Sequence, residues 1–124
     1  MPFTFSDKLD RGFLDSLYGD DLAYAQEVFT EFLSNTKNEY ETIKAAYKDN
    51  DLKKTRQHLH KIKPTFAFVG LGQLTEKSEK VIVDCDASTN VNQIEPACTE
   101  LFKEIERAFK LVEKELERMK TNAG

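Results

Sequence analysis

His58 and His60 are the side chains in this sequence that suit nucleophilic chemistry, because neutral imidazole is available as a nucleophile at neutral pH. Counting about 100° per residue places His60 about 130° from the centre of its helix's apolar stripe, on the solvent side. His58 lies about 70° from that centre, at the edge of the core. The two rings therefore point apart. This disfavours a metal site, because zinc-binding histidines on one helix are spaced i, i+4.

Basic residues surround His60. Lys63 lies one helical turn after it and Arg56 one turn before it, on the same side. The stretch from Lys53 to Lys63 has a local charge of +5 and the rest of the chain −9, for a total of −4. A cation one turn away would stabilise a phosphoryl group carried by the imidazole. The pattern leaves a second interpretation open, a solvated basic face without chemistry.

Pro64 interrupts this helix. It lacks the backbone N–H that would bond the carbonyl of His60, so it either ends the helix or bends it. The residue before it, Lys63, is expected to leave helical geometry. Because Phe66 and Val69 continue the apolar stripe, we expect the helix to continue past the proline.

The spacing of the apolar residues predicts an all-α protein. Helices are expected at about 9–18, 21–48, 51–69, 71–86 and 91–120, with Gly70 as a C-terminal stop. The predicted fold is an antiparallel up-down four-helix bundle with a short extra N-terminal helix, in a single domain over residues 1–124. Only 5 Gly and 3 Pro leave little punctuation for a many-stranded sandwich or barrel.

Composition excludes several classes of function. A net charge of −4 disfavours a generic nucleic-acid binder. No apolar run approaches the roughly 18 residues of a membrane span, and no signal peptide is visible, so we expect no membrane partner and a cytoplasmic location. Cys85 and Cys98 set no disulfide framework and are expected to be buried, reduced thiols.

The residues His60-Lys61-Ile62-Lys63, then Ala67, then Gly70-Leu71 resemble the signature of histidine-containing phosphotransfer (HPt) domains. That family has a phospho-accepting His, a Lys one turn on, then a small residue and a Gly at later turns. The helical layout resembles the family over essentially the whole chain. Pro64 departs from the pattern, because the family commonly has Gly there; proline is compact and also keeps the surface low.

The resemblance implies a phosphocarrier in a multistep two-component phosphorelay, and the initial Met and complete helices favour a stand-alone domain. His60 would accept a phosphoryl group from the aspartyl phosphate of a receiver domain and pass it to another receiver aspartate, with Lys63 stabilising the group. The implied partners are response-regulator receiver domains and a hybrid sensor histidine kinase. Magnesium would belong to the receiver, so this chain needs no cofactor or metal. A monomer is expected, and no Gly-rich nucleotide loop supports autonomous kinase activity.

A docking surface for the receiver is expected around His60. Phe68 is predicted on the polar side, about 80° from His60, where an exposed aromatic ring suggests a docking contact unless the leading helix covers it. Ala67 and Gly70 would keep the surface low. The expected surface consists of Arg56, Gln57, Lys61, Pro64, Ala67, Phe68 and Gly70.

Two other functions compete with the carrier. A helical adaptor could bind receiver or kinase domains without phosphotransfer, although the intact set of His60, Lys63 and Gly70 disfavours it. A histidine kinase dimerisation domain would need an attached ATP-binding domain.

Overall fold

The structure is a computed structural model that describes residues 3–123, within which the chain forms helices and turns and no strand. Two helices are continued by segments of different pitch: a π-helical stretch, Phe32–Thr36, joins the second helix to the third, and a 3-10 helix, Lys63–Val69, follows the fourth. A short 3-10 turn, Val91–Ile94, leads into the last helix. The α-helices are α1 Arg11–Tyr18, α2 Leu22–Glu31, α3 Lys37–Lys48, α4 Leu52–Ile62, α5 Gly72–Asp86 and α6 Glu95–Ala123.

Aspartates begin three of these helices. Asp10, Asp21 and Asp51 each precede a helix, and their side chains accept a backbone N–H of the first turn at 3.0–3.1 Å. Such caps satisfy donors that have no partner within the helix. The predicted all-helical class is confirmed.

The helices share a single hydrophobic core. α3 packs on α4, α4 on α5, α5 on α6, and α2 on α6. Leu59 and Ile62 of α4 are almost fully buried, and Phe66 and Val69 continue that buried face through the 3-10 segment. Fully burying each of these side chains contributes about 1.5–3 kcal/mol. One face of α4 is thus fixed in the core, which leaves its opposite face toward solvent.

The leading helix differs from its prediction. Leu14 and Tyr18 of α1 are buried, whereas Phe13 and Leu17 are 41% and 38% exposed. The helix begins two residues later than expected, at Arg11, because Asp10 caps it. Its buried face is therefore narrow, and its large apolar side chains partly face solvent.

No helix among residues 3–123 is both long and apolar enough to cross a membrane.

Candidate functional site

His60 lies on the exposed face of α4, next to the fully buried Leu59. Within the described part of the chain, no side chain forms a hydrogen bond with its ring. The core contacts of Leu59 and Ile62 hold the backbone of this turn, so the imidazole is presented to solvent from a rigid element.

Two ion pairs to α5 flank His60, one from α4 and one from the first residue of the 3-10 segment. Lys63, one turn after it, donates from Nζ to Oε2 of Glu79 at 2.6 Å. Arg56, one turn before it, donates from Nε to Oδ1 of Asp86 at 2.7 Å. The hydrogen bond from Lys63 is the main cause that lowers the pKa of Glu79; burial opposes it, and the charges of Lys63, His60 and Arg56 lower the pKa further. The hydrogen bond from Arg56 to Asp86 raises the guanidinium pKa.

A third cluster ties the other side of α4 to α3. Oε2 of Glu39 lies 2.7 Å from Nδ1 of His58. Oε1 of Glu39 accepts a hydrogen bond of 2.9 Å from Nζ of Lys61. The Lys61 hydrogen bond, and then that of His58, lower the pKa of Glu39. His58 is half-buried in this cluster, so the two histidines have different surroundings. Among residues 3–123, no group of three or more His, Cys, Asp or Glu side chains could hold a metal ion.

Carboxylates from other helices offset part of the positive charge of the stretch from Lys53 to Lys63. Arg56, Lys61 and Lys63 all pair with carboxylates from other helices, although no acidic residue lies between Lys53 and Lys63 in the chain. Three of the five positive charges in this stretch are therefore paired. The carboxylates of Asp86, Glu39 and Glu79 position these three cations.

Pro64 changes the pitch of the helix and does not end it. α4 stops at Ile62, and Pro64 lies in the first turn of the 3-10 segment. Lys63 keeps helical angles, φ −48° and ψ −49°, so the expectation that it leaves helical geometry is wrong. Thr65 Oγ1 donates to the Ile62 carbonyl at 2.7 Å, and Thr75 Oγ1 donates to the Lys63 carbonyl at 3.0 Å. These hydroxyls help satisfy carbonyls at the change of pitch.

Gly70 lies where the leading segment of the chain packs closely against the 3-10 segment. Its φ of 79° is left-handed, as expected of a helix stop, but the residue is buried. A Cβ added there would lie 2.8 Å from Leu14 Cδ1 and 2.9 Å from Leu9 Cβ. Gly70 therefore lies beneath the leading segment, and its part in receiver docking stays a prediction. It allows the leading segment to approach closely, and Asp10 N–H donates to its carbonyl at 2.9 Å.

The remaining predicted surface residues lie at or near the surface beside His60. The Phe68 side chain is 45% exposed, so α1 does not cover it. Instead, the Tyr18 hydroxyl of α1 donates to the Phe68 backbone carbonyl at 2.6 Å. Gln57, Lys61 and Pro64 are exposed and Ala67 is half-buried.

A family model for the Hpt domain matches residues 27–122 of the chain. The chain belongs to the Hpt domain family. An Hpt domain indicates a phosphotransfer role in a phosphorelay, and Hpt domains act as phosphocarriers and not as kinases. They interact with receiver domains and histidine kinases. A search of curated proteins found no match, and a search of solved structures found none either.

The sequence patterns of this Hpt domain did not predict that Glu79 and Asp86 would lie beside the site. The spacing could have indicated them, because Glu79 and Asp86 are seven residues apart, as Arg56 and Lys63 are. Equal spacing on adjacent elements lets each cation face one carboxylate. The sequence patterns also did not predict that Phe13 and Leu17 of α1 would be partly exposed.

Proposed function

We propose that His60 is the phospho-accepting residue of a carrier between two receiver domains. The observation that carries this proposal is the position of its exposed ring on a rigid turn of α4, between Arg56 and Lys63. His58 suits the role less well, because its Nδ1 is engaged by Glu39.

The transfer needs only an unprotonated ring nitrogen. Its lone pair attacks the phosphorus of a receiver aspartyl phosphate, an N–P bond forms, and the P–O bond breaks as the aspartate carboxylate leaves with the electron pair. The reverse sequence on a second receiver releases the group. Lys63 stabilises the charge on the phosphoryl oxygens. In this proposal the receiver binds the magnesium ion, and this chain supplies no cofactor.

The receiver is proposed to dock on the face around His60. Phe68 offers an exposed aromatic contact, and Pro64 and Ala67 are compact enough to permit close approach. Phe13 and Leu17 are two further partly exposed apolar side chains, on α1, which packs against the 3-10 segment.

The wider context follows from the same proposal. The four long helices, α2 with α3, α4 with its 3-10 extension, α5 and α6, form an antiparallel up-down bundle, which the contacts between consecutive helices support. A hybrid sensor histidine kinase in the cytoplasm supplies the phosphoryl group through its receiver domain, and the carrier acts as a monomer.

The test compares His60→Gln with His58→Gln as a matched control. Each variant is mixed with a receiver carrying a labelled aspartyl phosphate, and acid-labile, alkali-stable label on the chain is measured. We expect wild type and His58→Gln to accept label and His60→Gln to accept none. Equal labelling of His60→Gln and wild type would contradict the proposal. Receiver binding that His60→Gln leaves intact, with no label on wild type, would instead indicate the adaptor.

A further inference from the structure

The Lys63 ammonium is already paired in the unphosphorylated chain. It donates at 2.6 Å to Glu79, its side chain is 25% exposed, and that of Glu79 is 49% exposed. The hydrogen bond from Lys63 lowers the pKa of Glu79, so the carboxylate is ionised at neutral pH. The cation that would stabilise a phosphoryl group on His60 is thus held by a neighbouring negative charge.

We propose that Glu79 competes with the phosphoryl group on His60 for the Lys63 ammonium, and so makes the phosphorylated chain a better donor. This inference rests on the proposed role of His60. Glu79 is a positioning residue, because it acts through Lys63 and does not touch the reacting atoms.

The competition follows from charge and placement. Phosphorylation adds about two negative charges beside α4, as it does on other side chains. Lys63 lies one turn after His60, at the start of the 3-10 segment that continues α4, whereas Glu79 reaches it from α5. When the ammonium turns to the phosphoryl oxygens, Glu79 loses its partner and faces a like charge. Both changes raise the free energy of the phosphorylated state.

A competing carboxylate suits a carrier. A group held too tightly on His60 would not pass to the second receiver, since a carrier must release the group as readily as it accepts it. Glu79→Gln keeps the size of the side chain and an acceptor oxygen and removes the charge. We expect this variant to hold the phosphoryl group more strongly, by about two- to fivefold, the range of an exposed ion pair.

The experiment first labels each chain with phosphoramidate, a small donor that needs no docking. A ring nitrogen attacks the phosphorus, the N–P bond to His60 forms, and the P–N bond of phosphoramidate breaks as ammonia leaves with a proton from solvent. The labelled chain is then equilibrated with one receiver, and the ratio of labelled chain to labelled receiver is measured for wild type, Glu79→Gln and Glu79→Asp.

The matched control is Glu113→Gln. Glu113 is also 49% exposed and pairs with a lysine, Lys37, but this pair joins α3 to α6 and involves no residue of α4. We expect the ratio to rise about two- to fivefold for Glu79→Gln, to stay closer to wild type for Glu79→Asp, and to be unchanged for Glu113→Gln. In a Lys63→Ala background the effect of Glu79→Gln should shrink, because no ammonium is left to compete for.

Two failures are distinguishable. If wild type takes no label on His60 from phosphoramidate or from the receiver, the proposed function itself is wrong. If wild type is labelled but Glu79→Gln lowers the ratio or leaves it unchanged while circular dichroism shows an intact fold, the competition is overturned and the carrier role stands.

Discussion

The Tyr18 hydroxyl of α1 donates a hydrogen bond of 2.6 Å to the backbone carbonyl of Phe68, beside the candidate site. The Tyr18 side chain is buried, whereas that of Phe68 is 45% exposed. α1 therefore holds the backbone of the 3-10 segment in place and leaves its aromatic ring available. The leading helix and the proposed docking surface are linked by this bond.

Tyr18→Phe tests how much this hydrogen bond contributes to the free energy of unfolding. The variant keeps the ring and removes the donor of the Phe68 carbonyl. We expect the free energy of unfolding to fall by about 0.5–1.5 kcal/mol, the usual contribution of a hydrogen bond. Urea titration at pH 7 measures the change, and an unchanged midpoint would show that water replaces the hydroxyl without cost.

The same residue predicts alkaline pH dependence. Burial raises the pKa of Tyr18 from 10.0 to about 12. Because the folded chain favours the neutral phenol, its contribution to stability is complete below pH 10 and is lost as the pH rises toward 12. Tyr18→Phe should therefore lose less stability than wild type across this interval in thermal unfolding. Parallel losses in both proteins would contradict the assignment.

Gly70→Ala is expected to destabilise the fold. The left-handed φ of 79° strains any L side chain, and a Cβ would meet Leu14 and Leu9 at under 3 Å. Together, these effects should lower the free energy of unfolding by about 2 kcal/mol or more.

Gly72→Ala is the matched control for this prediction. It begins α5, and an added Cβ would meet no atom within 4 Å. Its stability should change little, because alanine suits a helix better than glycine. If urea titration shows equal destabilisation of the two variants, the close packing at Gly70 does not add to the cost of the substitution.

Much of the fold follows from local patterns. The apolar stripe of α4 fixes which face is buried, and the solvent position of His60 follows from its angle to Leu59. Glycine after Val69 predicts the helix stop, since a left-handed turn favours a residue without Cβ.

The sequence patterns could not predict contacts between residues that are distant in the chain. The carboxylates that pair with Lys63 and Lys61, Glu79 and Glu39, lie on other helices, so counting charges along one helix missed them. The burial of Gly70 depends on where the leading segment packs. The helical angles of Lys63 depend on a change of pitch that Thr75, across the turn, supports with its hydroxyl.

Glu39→Gln tests the cluster that joins α3 and α4. The Lys61 hydrogen bond, and then that of His58, lower the pKa of Glu39 below 4.5. The carboxylate thus adds stability above that value, which is lost as the pH falls through the lowered pKa. We expect Glu39→Gln to be less stable than wild type by about 0.5–1 kcal/mol at pH 7 and equally stable in strong acid.

Thermal unfolding from pH 7 to pH 2 measures this difference. Glu41→Gln is a control on the same helix, because Glu41 is 69% exposed and pairs only within α3, with Lys44. Its effect should be smaller at every pH. A difference between Glu39→Gln and wild type that persists unchanged to pH 2 would rule out the ionised carboxylate as its source.

Phe68→Ala tests the proposed docking surface. Because the ring is 45% exposed, its removal should cost little stability, whereas an aromatic contact at an interface often contributes more than 1 kcal/mol to binding. We expect phosphotransfer from a phosphorylated receiver to slow about tenfold in kcat/KM, which corresponds to about 1.4 kcal/mol. Labelling by phosphoramidate should keep its wild-type rate, because this donor needs no docking. Equal slowing with both donors would show that Phe68 acts on the chemistry or geometry of His60, and no slowing with the receiver would place the interface elsewhere on the molecule.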